Sequence, residues 1–152
     1  MIDTTLQGKD ANCYVSVEEA DSHFTTHPLK DEWDKVTNKE SYLVKATQNV
    51  DKCIFKSSKS LKSQSLKFPR KIDKDENGEY FIPIEVKRAT FEEALFLFLN
   101  EDKYIHQINQ SNGLSNFNLG TASGNYKNGV SPLSTETRQL LSPLLLKIGR
   151  LK

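Results

Sequence analysis

Several things are scarce in this chain, and each scarcity narrows what it can be. It has two cysteines, Cys13 and Cys53, with no CxxC pair and no Cys/His cluster at zinc spacing, so neither a disulfide framework nor a structural zinc site is expected. The longest apolar run, Ala94 to Leu99, is six residues, far short of a bilayer span, and no membrane role is expected. The polar stretch Met1 to Asp10 lacks the apolar segment of a secretory leader. Formal net charge is only +1, so no global field favours nucleic acid or a membrane surface. No GxGxxG, P-loop or GxSxG motif occurs, and neither a cofactor nor a metal is expected. A soluble protein in a reducing compartment, with two buried free thiols, is the expectation.

The 152 residues suffice for one domain that buries roughly 70% of its unfolded surface. The apolar fraction is 36% and the charged fraction 27%, which implies much polar surface or segments that fold against partners. Hydrophobic spacing predicts a mainly α protein: a small bundle of about four helices, with a short β-hairpin or extended loops and terminal arms. Residues 1–11 read as an N-terminal arm with little to bury. Ser16-Val17-Glu18-Glu19 fits a capping box, and Val17, Ala20 and Phe24 fall on one helical face, with Pro28 closing the segment. Thr37 to Glu40 fits a second box, followed by a stripe of Leu43, Ala46, Val50 and Ile54 on a helix over about 38–54. Trp33 is expected to plug the join between these helices.

Residues 56–71, KSSKSLKSQSLKFPRK, carry Lys56, Lys59, Lys62, Lys67, Arg70 and Lys71 and no acidic residue. The serine-rich stretch reads as an exposed loop leading into a short extended piece, Leu66 to Pro69. Asn77-Gly78 then signals a tight turn or small hairpin. Pro83 suits the first helical position, and the longest helix is expected over about 84–109, closing the helical body of 12–109. It is apolar on nearly all sides, which predicts a central position or cover by a neighbouring subunit. Residues 110–132 are rich in Asn, Ser and Gly and read as a flexible loop or an irregular hairpin. The segment 133–152 returns to helical spacing, with Leu140, Leu141, Leu144, Leu145 and Ile148 in a stripe interrupted by Pro143. It could be an apolar tail that grips a partner or a last helix packed on its own core.

Candidates for chemistry are weak. Cys13 stands at the entry of a helix, but its neighbours include Glu18 and Glu19, which would not favour a thiolate. His23 and His27 are at i, i+4, a metal-capable spacing, yet Phe24 stands where a metalloprotease glutamate would. Surface histidines, His106 included, are the plainer expectation. The carboxylate pairs Glu18/Glu19, Asp31/Glu32 and Glu92/Glu93 point about 100° apart on a helix and read as solvated faces. No enzyme is expected. The basic loop remains as a possible DNA contact, a solubilising segment, or a partner for a neighbour's acidic residues. Only Phe68 lies among its cations, whereas single-strand binders stack bases on several aromatics.

The order of motifs carries more than any one of them. Asn12, Tyr14-Val15-Ser16, Glu19-Ala20-Asp21 and Phe24 lead to Trp33, then Leu43, Ala46 and Thr47. Phe68-Pro69-Arg70, the Asn77-Gly78 turn, Ile82-Pro83, Val86, Lys87 and Ala89 follow. Over residues 12–99 this resembles a family of small tailed-phage proteins described as DnaT-like single-stranded DNA-binding, whose build is that of head–tail connectors. The family usually carries Ser where Cys13 stands and Trp where Phe68 stands, and residues 100–132 match it poorly. The resemblance implies a structural virion protein, made in the host cytoplasm and placed at the neck. Its copies would form a dodecameric ring beneath the portal protein and above a tail-completion protein. DNA would pass through the ring without sequence-specific contact. The leucine stripe of 140–148 would then meet a partner, and the basic loop would meet DNA or a neighbour. The alternative is a single-stranded DNA-binding protein that uses the 56–71 loop.

Overall fold

A computed structural model describes residues 1–102 and 133–147. Among them lie five α-helices: α1 (Val17–Phe24), α2 (Lys30–Asp34), α3 (Lys39–Val50), α4 (Ile84–Leu99) and α5 (Thr135–Leu141). A 3-10 turn, Ser142–Leu144, continues α5 past Pro143. The chain is mainly helical, as the hydrophobic spacing predicts, and pairing between extended segments is confined to isolated bridges among the described residues.

The first capping box forms as read. Ser16 is extended at φ −88°, ψ 167°, and its hydroxyl accepts from the Glu19 N–H at 3.1 Å. The Glu19 carboxylate accepts from the Ser16 N–H at 2.9 Å. Two backbone donors that a helix start leaves open are thereby used. Ala20 and Phe24 are fully buried. Phe24 stacks on Trp33 with ring centroids 4.6 Å apart. Trp33 does plug the join, but from a helix of its own, α2. Its indole N–H donates to Asp21 at 2.7 Å, and Lys39 reaches the same carboxylate at 2.8 Å.

The second capping box does not form. Asn38 is the N-cap of α3, and no side chain caps it. This helix ends at Val50, four residues early, so Ile54 leaves the stripe and is 58% exposed. Leu43, Ala46 and Val50 are buried as expected. Pro83 sits one place earlier than expected, as the N-cap of α4.

α4 is the central helix and packs against both α3 and α5. Its buried residues run around most of its circumference: Val86, Ala89, Thr90, Phe91, Ala94, Leu95 and Leu97. Glu92 and Glu93 are also buried, which corrects their reading as a solvated face. Glu93 is fully enclosed and accepts from the Asn49 amide at 3.2 Å and the Ser134 N–H at 3.1 Å. Burial pushes its carboxyl above the ordinary glutamate range. The first residues of the C-terminal segment are therefore bonded to the core of the domain.

Candidate nucleic-acid interface

The 56–71 stretch is a loop, exposed over residues 56–58 and 61–63 and braced by internal hydrogen bonds. Its two ends pair around a bridge between Lys59 and Arg70: the Ser60 N–H donates to Pro69 at 3.0 Å, and the Lys71 N–H donates to Ser58 at 2.9 Å. Inside this frame Gln64 is buried and uses its whole amide. It donates to the carbonyls of Leu66 at 2.9 Å and Pro69 at 3.0 Å, and accepts from the Ser60 hydroxyl at 2.7 Å and the Leu61 N–H at 2.9 Å. The N-terminal segment folds back onto the loop. Gln7 donates to the Ser60 hydroxyl at 2.8 Å, and Ser65 donates to the carbonyls of Gly8 and Ala11. Residues 7–11 are thus bonded to this loop, while residues 1–10 stay exposed or half-buried.

The six cations divide by their surroundings. Arg70 is 8% exposed, and its guanidinium donates to the carbonyls of Lys56 and Lys67 at 3.1 Å each, to Phe55 at 3.4 Å, and to Ser57. A guanidinium has five N–H donors, so this one has little left for a phosphate. Arg70 is corrected from a candidate contact to an internal brace. Lys56 donates to Pro143 at 2.9 Å, Lys59 to Gln64 at 3.0 Å, and Lys67 to Cys53. Lys62 and Lys71 are exposed. Carbonyls orient an ammonium without cancelling its charge. No loop cation forms an ion pair with a carboxylate among the described residues, whereas Lys30, Lys35, Lys39 and Lys87 elsewhere do. The stretch is strongly basic on a chain that is nearly neutral overall, with Asp51 and Asp73 as its nearest opposing charges.

The aromatics beneath it are structural. Phe68 and Phe55 are buried, with ring centroids 4.6 Å apart, so neither offers a face to a base. Tyr14 fixes the root of the loop: its hydroxyl bonds Asp51 and accepts from the Phe68 N–H at 3.2 Å, and Asp51 accepts from the Lys67 N–H at 3.1 Å. Burial raises the Asp51 carboxyl, and the positive charge of Lys67 and Lys59 opposes that rise.

A family described as "Putative DnaT-like ssDNA binding protein" matches residues 1–151. The chain belongs to this family. No curated protein and no solved structure gives a match.

The other candidate residues of this DnaT-like family member are placed as follows. Leu141 is fully buried against α4, and Leu140, Leu144 and Leu145 are partly buried on the same core. The described part of the 133–152 segment is thus a helix packed on its own domain, which corrects Leu141 as a partner contact. Ile148, His106 and the 110–132 segment lie outside the described residues. His23 and His27 converge on one oxygen of Glu92, at 2.8 and 3.2 Å, an arrangement that sequence spacing alone did not disclose. No group of three or more such side chains is arranged to hold a metal ion among the described residues. Cys13 is buried and receives the Thr47 hydroxyl at 3.4 Å; burial raises its thiol, the opposite of what a nucleophile needs. The void beside it, lined by Thr5, Gly8, Tyr14 and Gln64, holds about 10 Å³, which is room for one water and no cofactor.

Proposed function

We propose that this protein binds single-stranded DNA through its phosphates, using the lysines of the 56–71 face. The observation that carries this reading is the set of Lys56, Lys59, Lys62, Lys67 and Lys71, none ion-paired to a carboxylate among the described residues. The family's description agrees with it. With Phe55 and Phe68 buried, bases have no stacking platform in the loop, so the contact is backbone-led and tolerant of sequence. Nothing in this role requires catalysis. Anisotropy of a labelled oligonucleotide tests the reading: binding at low salt that weakens as salt rises supports it, and a flat response at low salt removes it.

A second reading, a neck subunit joining a phage head to its tail, is favoured by a different observation. Large apolar side chains stand exposed on the body: Ile72 at 63%, Ile84 at 50% and Phe81 at 44%, and Ile54 at 58% beside Leu146 at 50%. Such exposure suits contact with neighbouring subunits, a portal or a tail-completion protein. In a ring of this kind the lysine face would line or approach the DNA channel. Negative-stain microscopy of purified virions decides it: this chain must be found in the neck, and its absence there ends the reading.

A further inference from the structure

We propose, resting on the DNA-binding reading, that Gln64 and Arg70 are positioning residues that hold the lysines as a preorganised set without touching DNA themselves. A flexible basic loop would bind phosphates as a diffuse cloud of charge, and its internal hydrogen bonds would not matter. This loop is built differently. Gln64 is 2% exposed and carries no charge, yet it ties Ser60 and Leu61, just before Lys62, to Leu66 and Pro69, on either side of Lys67. Arg70 fastens the backbone of Lys56 to that of Lys67 through one planar group, and Lys71 follows it directly, its N–H bonded to Ser58. With their backbone held on a fixed frame, the five lysines can meet phosphates without first losing the freedom of a mobile loop.

The neutral residue makes the proposal testable. Gln64→Met removes four hydrogen bonds and no charge. Arg70→Lys keeps the charge but not the planar fork. Lys62→Gln removes one exposed charge and leaves the frame intact. Each protein is titrated with a labelled single-stranded oligonucleotide across a salt series, with circular dichroism and thermal melting in parallel. Each phosphate contact contributes about 0.7 to the slope of log K against log salt on single strands. Lys62→Gln is expected to lower the slope by about 0.7. Gln64→Met and Arg70→Lys are each expected to lower it by about 1.4 or more, two contacts' worth, while remaining folded. Amide exchange at Ser60 and Lys71 should quicken in both. Wild-type affinity and slope in folded Gln64→Met or Arg70→Lys overturn the positioning role while leaving DNA binding intact. Lower affinity at an unchanged slope for Arg70→Lys, with Gln64→Met unchanged, makes Arg70 an ordinary phosphate contact, since lysine keeps the charge that the slope counts. A wild-type protein that shows no salt-dependent binding overturns both this inference and the reading beneath it. Should Gln64→Met fail to fold, Arg70→Lys and the milder Ser60→Ala, which removes one bond to Gln64, decide the matter.

Discussion

Replacing Glu93 with alanine tests how the C-terminal helix is fastened. The carboxylate of Glu93 is fully buried and accepts from two buried donors, the Asn49 amide and the Ser134 N–H. Alanine leaves both without a partner. Each stranded donor costs about 1–3 kcal/mol, so the gross loss is about 2–6 kcal/mol. Removal of a carboxylate that was itself costly to bury offsets part of this, and a net loss of about 2–4 kcal/mol is expected. A domain stable by about 5–15 kcal/mol remains folded. The loss should be local in its first effect, because Ser134 is the N-cap of α5. Urea denaturation gives the total, and hydrogen exchange should rise in 133–141 before it rises in α3. A loss below about 0.5 kcal/mol, or exchange that quickens evenly along the chain, would refute the reasoning. The pH dependence has a definite sign. Because burial raises the Glu93 carboxyl in the folded state, the proton is held more tightly folded than unfolded. Its contribution to stability is fully present below the ordinary glutamate value and is lost as pH rises through the raised folded value. Glu93→Gln should flatten that part of the stability profile.

Two other outcomes are expected. Leu141→Ala opens a cavity under a fully buried side chain and should cost about 2–5 kcal/mol by urea denaturation, whereas Leu144→Ala, on a half-exposed side chain, should cost clearly less. In the native protein Cys53 should react with a thiol reagent well before Cys13, since Cys13 is 1% exposed and Cys53 only half-buried; equal rates would contradict the burial of Cys13.

Local rules were legible and long-range ones were not. Ser16 and Glu19 lie three residues apart, so their reciprocal cap could be read directly. The same spacing at Thr37 to Glu40 misled, because the backbone turns into α3 at Asn38 with φ −106° and ψ 53°, outside the extended conformation usual at a side-chain cap. α2 is five residues with no side-chain cap and gives almost no pattern beyond Trp33. Glu92 and Glu93 looked like surface because they are charged. The signal against this was present: a helix apolar on nearly every side has no solvated face on which to put them. Glu93 then takes its partners from residues 44 and 41 positions away, and Glu92 takes His23 from 69 away. No local window reports such partners. The basic composition of 56–71 was plain, but its rigidity rests on Gln7 and Gly8, more than fifty residues upstream, and on a buried arginine. Charge marked the candidate stretch, while the different surroundings of its six cations depended on the fold.

The most direct test of the central claim is the slope of log K against log salt for the full chain binding a labelled single-stranded oligonucleotide. Three to five phosphate contacts predict a slope of about −2 to −3.5. Binding should be largely indifferent to base sequence, and replacing Lys56, Lys59, Lys62, Lys67 and Lys71 together by glutamine should abolish it without unfolding the protein. Absence of binding at low salt, or a slope the five substitutions leave unchanged, would contradict the account.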